Sequence, residues 1–182
     1  ATSTNVREWT PIGNSANRYT GTFDGNDKMV RGLFFNDENA SYIGFFGYVD
    51  AGGVVKNVGV LNSYIKGATN VGGVVGYNKG TVSGCYNRGD VSGTEYVGGV
   101  IGDNGGSVSD GYNTGDVSGT KYVGGVAGFN GESVVIENFY NTGAVTGIGD
   151  AVGGIVGNNR GTVQNCRNTA VISGGGYVGG VV

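Results

Sequence analysis

One eight-residue phrase recurs along this chain, and it limits what the chain can fold into. Val71-Gly72-Gly73-Val74-Val75-Gly76-Tyr77-Asn78 returns as Val97–Asn104, as Val123–Asn130 and as Val152–Asn159. A further copy starts at Val178-Gly179-Gly180 and is truncated at Val182. The closing glycines Gly76, Gly102, Gly128 and Gly157 stand 26, 26 and 29 residues apart. Self-similarity at such a period signals stacked units, each burying its apolar face against the next. The variant Tyr42-Ile43-Gly44-Phe45-Phe46-Gly47-Tyr48 places one earlier turn 29 residues before Gly76.

Glycine supplies 41 of 182 residues and proline one. Because the glycines recur in register, they mark backbone positions that need positive φ or close approach. Each full repeat reads as three short β-like runs, Val71–Val75, Thr81–Tyr86 and Asp90–Ser92 in the first complete copy. Asn78-Lys79-Gly80, Asn87-Arg88-Gly89 and Gly93-Thr94-Glu95 separate them, and Asn and Gly tolerate the left-handed backbone of corners. No helical periodicity appears. The expected fold is all-β: a right-handed parallel β-helix of about six coils, roughly 30 Å long, with 26–29-residue repeats.

Finer expectations follow from the spacing. Val82 and Cys85, like Val163 and Cys166, are too far out of phase for strict alternation to bury both, so a bend is expected near Gly84 and Asn165. Val91, Val117, Val145 and Val171 should form one inward column. The long repeat carries extra residues around Val135-Ile136 and near Ile148-Gly149, expected to bulge outward at corners. Residues 1–40 lack the repeat but hold Trp9, Ile12, Tyr19, Phe23 and Leu33, which suits a cap and first coil. Residues 41–182 carry the repeats, and the whole is expected to form a single solenoid.

Net charge is −3, with 11 basic and 14 acidic residues scattered rather than blocked, which argues against a nucleic-acid partner. Apolar runs of only a few residues argue against membrane insertion of this segment. A composition rich in Gly, Asn, Thr, Val and Tyr points to an extracellular or cell-surface location in bacteria. The absence of histidine excludes Ser-His-Asp and Cys-His nucleophile systems and histidine zinc sites. No cofactor, metal site or catalytic residue is expected. Cys85 and Cys166 share a slot with Gly111 and Phe139, three turns apart or roughly 14 Å at the spacing of stacked strands. That exceeds the ~7 Å limit between disulfide Cα atoms, so both are expected free and buried.

Two aromatic columns are the candidate binding residues: Tyr86, Tyr112 and Tyr140, ending at Arg167, and Tyr96, Tyr122 and Tyr177. Stacked rings stabilise a solenoid by themselves; on an exposed face they also offer a track for a glycan or for a host or neighbour-cell protein. Two asparagine columns, Asn78/Asn104/Asn130/Asn159 and Asn87/Asn113/Asn141/Asn168, are expected to be corner-stabilising hydrogen-bond ladders.

Gly-Gly-[Val/Ile]-x-Gly-x-Asn followed by Gly-x-Val-x-x-Cys-Tyr-Asn-x-Gly-x-Val resembles the GLUG motif of bacterial surface proteins. Gly72–Val91 shows it whole; Gly98–Val117, Gly124–Val145 and Gly153–Val171 are close copies, with Arg167 and Ala170 as departures. Trp9–Gly13 and Gly21–Asn26 resemble the lead-in to such repeats, which Asp27-Lys28 interrupts. The resemblance implies large secreted or wall-attached proteins, including adhesins and regions preceding IgA-specific metallopeptidase domains, and no catalytic residue in the motif. The sequence thus points to a structural or adhesive module of a longer exported protein. Two alternatives stay open: a fibre subunit associating end to end through open solenoid ends, and a carbohydrate-active β-helix using Asp24 and Asp27.

Overall fold

The computed structural model describes residues 8–182; the first seven residues of the expected cap lie outside the described residues. The described chain contains no helix and winds into a parallel β-solenoid of about six turns. Pairing is parallel throughout and joins each coil to the next, as in the run Val55, Val82, Val108, Ile136, Val163. One sheet is formed by Phe46–Val49, Val75–Asn78, Ile101–Asn104, Ala127–Asn130 and Val156–Asn159; the other strands build a larger sheet that wraps the remaining faces.

The interior holds two apolar clusters. Val74, Val75, Val82 and Cys85, with their equivalents in other coils, form the first; Val71, Val91 and theirs form the second. The boundary between them explains the Gly-Gly step. Asn87 lies in the chain between Cys85 of one cluster and Val91 of the other, and its amide fills the place where a Gly73 Cβ would stand, 2.5 Å from Asn87 Cγ. Gly99 meets Asn113, Gly125 meets Asn141 and Gly154 meets Asn168 in the same way. Each closing glycine abuts the backbone of the preceding coil: a Cβ on Gly128 would lie 2.4 Å from Tyr96 C, and one on Gly102 would lie 2.6 Å from Asn70 C. The repeated phrase therefore records two rows of close approach that tolerate no side chain.

Both asparagine columns are the expected ladders. Asn78 Nδ2 donates to Asn104 Oδ1, and Asn104 in turn to Asn130, each at 2.9 Å. Asn130 continues to Asn159 at 2.8 Å. The second column runs Asn87 to Asn113 to Asn141 at 2.9 Å per step and ends on Asn168 at 3.0 Å. Every ladder member but Asn130 also closes its own corner, as where Gly89 N–H donates to Asn87 Oδ1 and Asn87 Nδ2 donates to Gly89 O; Asn130 Nδ2 donates instead to Thr162 O at 3.3 Å. A fully buried amide that satisfies both donors and its acceptor offsets the cost of its desolvation. The Asn-x-Gly corners are thus held by side chains rather than by left-handed backbone.

Left-handed residues instead form two other columns. The expected bend is present at Gly84 (φ 61°) and Asn165 (φ 53°), and Asn57, Asp110 and Asn138 share it. The second column is Tyr42, Asn70, Tyr96 and Tyr122, with φ between 55° and 63°.

Two expectations require correction. Val171 is not in the inward column: Val145 pairs with Ile172, and Val171 is 77% exposed. In the second ladder the next inward residue stands four positions after each asparagine, as from Asn141 to Val145, and the same count from Asn168 reaches Ile172. The first insertion lies in the exposed turn at Glu132-Ser133, where Ser133 adopts φ 62°, while Val135 and Ile136 stay in the ladder. The second, at Ile148-Gly149, projects Ile148 outward.

At the N-terminal end the packing changes character. Trp9, Tyr19 and Phe23 cover Phe45 and Phe46 with ring centroids 4.9–5.6 Å apart. Trp9 Nε1 also donates to Phe45 O at 3.3 Å.

Candidate functional site

The outer face of the larger sheet carries the first tyrosine column as expected. Tyr86 and Tyr112 stack at 4.6 Å with ring planes 11° apart, and Tyr112 and Tyr140 at 4.9 Å and 10°. Tyr86 has space because its neighbour on the preceding coil is Gly59, where a Cβ would meet the ring at 2.1 Å. Arg88 lies over Tyr86 and Tyr112, about 5.5 and 5.4 Å from their centroids, and donates to the Tyr112 hydroxyl at 2.7 Å. Arg167 follows Tyr140 in register. Tyr86 and Tyr112 are half-buried and engaged with Arg88, while Tyr140 at the end of the stack is exposed.

The second column is less regular. Tyr96 and Tyr122 stack at 5.3 Å, but Ala151 interrupts the row before Tyr177, which is 85% exposed. Beside this row runs another that sequence inspection did not single out: Tyr48, Tyr77, Asp103, Phe129 and Asn158, paired coil to coil on the smaller sheet. The two rows interlock. Tyr42 meets Tyr77 edge-on at 6.0 Å, and Tyr96 meets Phe129 likewise at 5.6 Å. Basic side chains cover the rings: Arg18 over Tyr48, Lys79 over Tyr77, Lys121 over Tyr122 and Arg160 over Phe129, at 4.8–5.8 Å. Asp103 is the acidic member of this surface. Burial pushes its carboxyl up to about 6, against the pull of Lys79. Aligning the residue after each closing glycine would have exposed this row in the sequence.

Asp24 and Asp27 sit within the strand Thr22–Arg31, at a bulge where its register shifts between Asp24 and Lys28. Asp24 Oδ1 accepts from Asn26 N–H at 2.9 Å and from Asn57 Nδ2 at 3.0 Å, and its other oxygen pairs with Lys56 at 3.2 Å. These hydrogen bonds, the backbone one foremost, hold its carboxyl below the ordinary range, which suits a structural bulge and opposes a general acid. Asp27 adopts left-handed backbone at φ 58° in the same bulge.

Cys85 and Cys166 are free thiols three coils apart. Cys85 is fully buried and burial pushes its thiol up to about 11. Cys166, expected buried, is only half-buried, because no coil stacks on the last described one. Between them, Gly111 leaves space for the Phe139 ring, which would lie 2.6 Å from a Cβ there.

A shallow groove of about 470 Å³ runs along the larger sheet between Lys66 and Ile148, lined by the hydroxyls of Ser92, Thr94, Ser118 and Thr120. Among the described residues no helix is long and apolar enough to cross a membrane.

These features define a parallel β-solenoid built on internal amide ladders. Residues 67–92, one full coil with its Gly73–Asn87 contact, its closing Gly76 and its ladder residue Asn78, match the family profile described as the GLUG motif. A "Putative Gly-rich membrane protein" of Evansella cellulosilytica is 39% identical over 77 residues, covering 41% of this chain and 9% of that protein. "Halomucin" of Haloquadratum walsbyi is 33% identical over 86 residues, covering 46% of this chain and 1% of that protein. The chain therefore spans less than a tenth of the length of these curated relatives. A crystal structure described as a "putative immunoglobulin A1 protease" from Bacteroides ovatus is similar in fold. It superposes on 98% of this chain and 74% of that one with a TM-score of 0.71 at 18% identity.

Proposed function

We propose that this chain is a stiff, non-catalytic spacer and contact module of a longer, exported bacterial surface protein. The carrying observation is the pair of continuous asparagine ladders, which tie each coil to the next through buried hydrogen bonds and resist bending or slippage between coils. The GLUG coil and the much greater length of the matched relatives support a module within a larger chain. The satisfied, low-titrating Asp24 speaks against the glycan-cleaving alternative. Outward tyrosine columns would add repeated weak contacts to a glycan or a neighbouring protein, and repetition raises avidity without strengthening any one contact.

Two measurements test this. Antibody raised against the chain should label intact source cells; labelling only after permeabilisation overturns the surface assignment. In single-molecule pulling, the solenoid should hold as one unit and then lengthen coil by coil. Smooth extension at forces typical of unstructured linkers would remove the spacer role.

A further inference from the structure

Only one level of the interlocked aromatic rows lacks a ring in both members; where Asn158 breaks the strand row, Tyr122 still stands beside it. The left-handed corner row reads Tyr42, Asn70, Tyr96, Tyr122, and the strand row beside it reads Tyr77, Asp103, Phe129. Each corner residue sits beside the strand residue of the following coil, because the corner backbone packs on that coil's closing glycine. Tyr42 thus meets Tyr77, and Tyr96 meets Phe129. By the same register Asn70, whose backbone lies against Gly102, stands beside Asp103. Two rings are therefore replaced by two short polar side chains at one level, between the Tyr42/Tyr77 pair and the Tyr96/Phe129 pair.

Neither acceptor has a partner within the protein among the described residues. Asn70 is 7% exposed and its Oδ1 is buried without a hydrogen-bond partner. Among the described residues the Asp103 carboxylate has neither a hydrogen-bond nor an ion-pair partner. Elsewhere in this molecule buried asparagines are fully bonded in the ladders, so an orphan acceptor is costly and out of pattern. Two unpartnered acceptors, the partly exposed anion of Asp103 and the buried oxygen of Asn70, lie between aromatic faces and match a donor-rich organic cation, which gains hydrogen bonds and ring attraction.

We infer that Asn70 and Asp103, walled by Tyr42, Tyr77, Tyr96 and Phe129, form a binding site for the primary ammonium group of a small organic ligand. An amino sugar and a lysine-like amine share this chemistry.

The groups facing Asp103 are Lys79, Tyr77 and Tyr96, while Lys121 beside Tyr96 is already paired with Glu95 at 3.2 Å. Desolvation raises the Asp103 carboxyl to about 6, so the anion is present at neutral pH and is lost as pH falls through that value. Ammonium binding should fall with it.

Glucosamine and Nα-acetyl-lysine amide should each be titrated calorimetrically into the intact chain at pH 7.5, beside their N-acetylated counterparts. Binding of either amine, lost on its acetylation, is expected, and which amine binds identifies the source. D103N should weaken it by about tenfold or more, the worth of a charged hydrogen bond. The paired change Asn70→Tyr with Asp103→Phe restores the ring pattern of the neighbouring coil and should abolish binding while leaving the circular dichroism spectrum unchanged. Lys79→Ala should tighten binding, since that ammonium competes for the same carboxylate. No heat or chemical-shift change with either amine at millimolar concentration overturns the inference, as does equal affinity for D103N.

Discussion

The first coils and the repeated body solve the same packing problem in opposite ways. Around Phe45 and Phe46 the interior is filled by volume: Trp9, Tyr19 and Phe23 converge on two phenylalanines. From Val71 onward it is filled by proximity: valines occupy the clusters, and glycine rows bring backbones and asparagine amides together where no Cβ fits. The aromatic end has no earlier coil among the described residues to supply matching ladders, so large side chains must cover its surface. In the body each coil has a repeated neighbour to stack on, and the ladders become available. The damaging substitutions should therefore differ: removing volume at the aromatic end, adding it in the body.

Phe46→Ala should give the largest loss. Phe46 is fully buried and touches Tyr19, Phe23 and Phe45, so truncation should cost about 3–5 kcal/mol. The mirror change in the body is Gly99→Ala, whose new methyl would lie 2.3 Å from Gly125 O and 2.4 Å from Asn113 Cγ. Both are fixed by the ladder, so the coils must separate, at a cost of about 3 kcal/mol. Urea unfolding of the two variants checks the pair. Tolerance of Gly99→Ala at the level of an ordinary surface alanine would break the comparison, because the body would then not depend on close approach.

Much of this contrast was legible in the residues. The period gave the coil count and the parallel stacking, and the two asparagine columns were readable as ladders because Asn recurred at the same slot beside Gly. The bend at Gly84 and Asn165 followed from Val82 and Cys85 being out of phase. What stayed hidden depended on contacts between different parts of one coil. Nothing in the order of residues says that Gly73 makes room for Asn87, or that Tyr96 takes up left-handed backbone, since a bulky residue there runs against local preference. Val171 was misplaced because a second apolar residue, Ile172, stands next to it, and only the count from Asn168 distinguishes them. The Asn70–Asp103 pair stayed hidden for a related reason: it is a gap in a pattern spread over two rows.

The ladders themselves sharpen the comparison at a smaller scale. Asn113→Ala removes a fully buried member between two others, leaving one Asn87 Nδ2 proton without its acceptor and Asn141 Oδ1 with Gly143 N–H as its remaining donor. Unsatisfied buried groups of this kind should cost about 2 kcal/mol or more. Asn168→Ala, at the half-buried last rung, should cost clearly less, because water can reach the amide it abandons. Equal losses in thermal unfolding would mean that the ladder acts only as local corner closure and not as a link between coils.

The smallest effect belongs to the tyrosine column. Tyr112 stacks on both Tyr86 and Tyr140 and accepts from Arg88, yet all of these groups are partly in solvent. Ring pairs of this sort contribute about 0.5–1.5 kcal/mol beyond simple burial, so Tyr112→Ala should lower stability by about 1–2 kcal/mol. Tyr112→Phe keeps the stack and loses only the exposed hydrogen bond, and should be nearly neutral. If the column serves chiefly to hold the coils in register, Tyr112→Phe should also leave any contact with glycan or protein unchanged. If the hydroxyls face a partner, the phenylalanine variant will keep its unfolding midpoint and lose that contact. The column's two roles separate on that one atom, because stability reads the ring and recognition reads the oxygen.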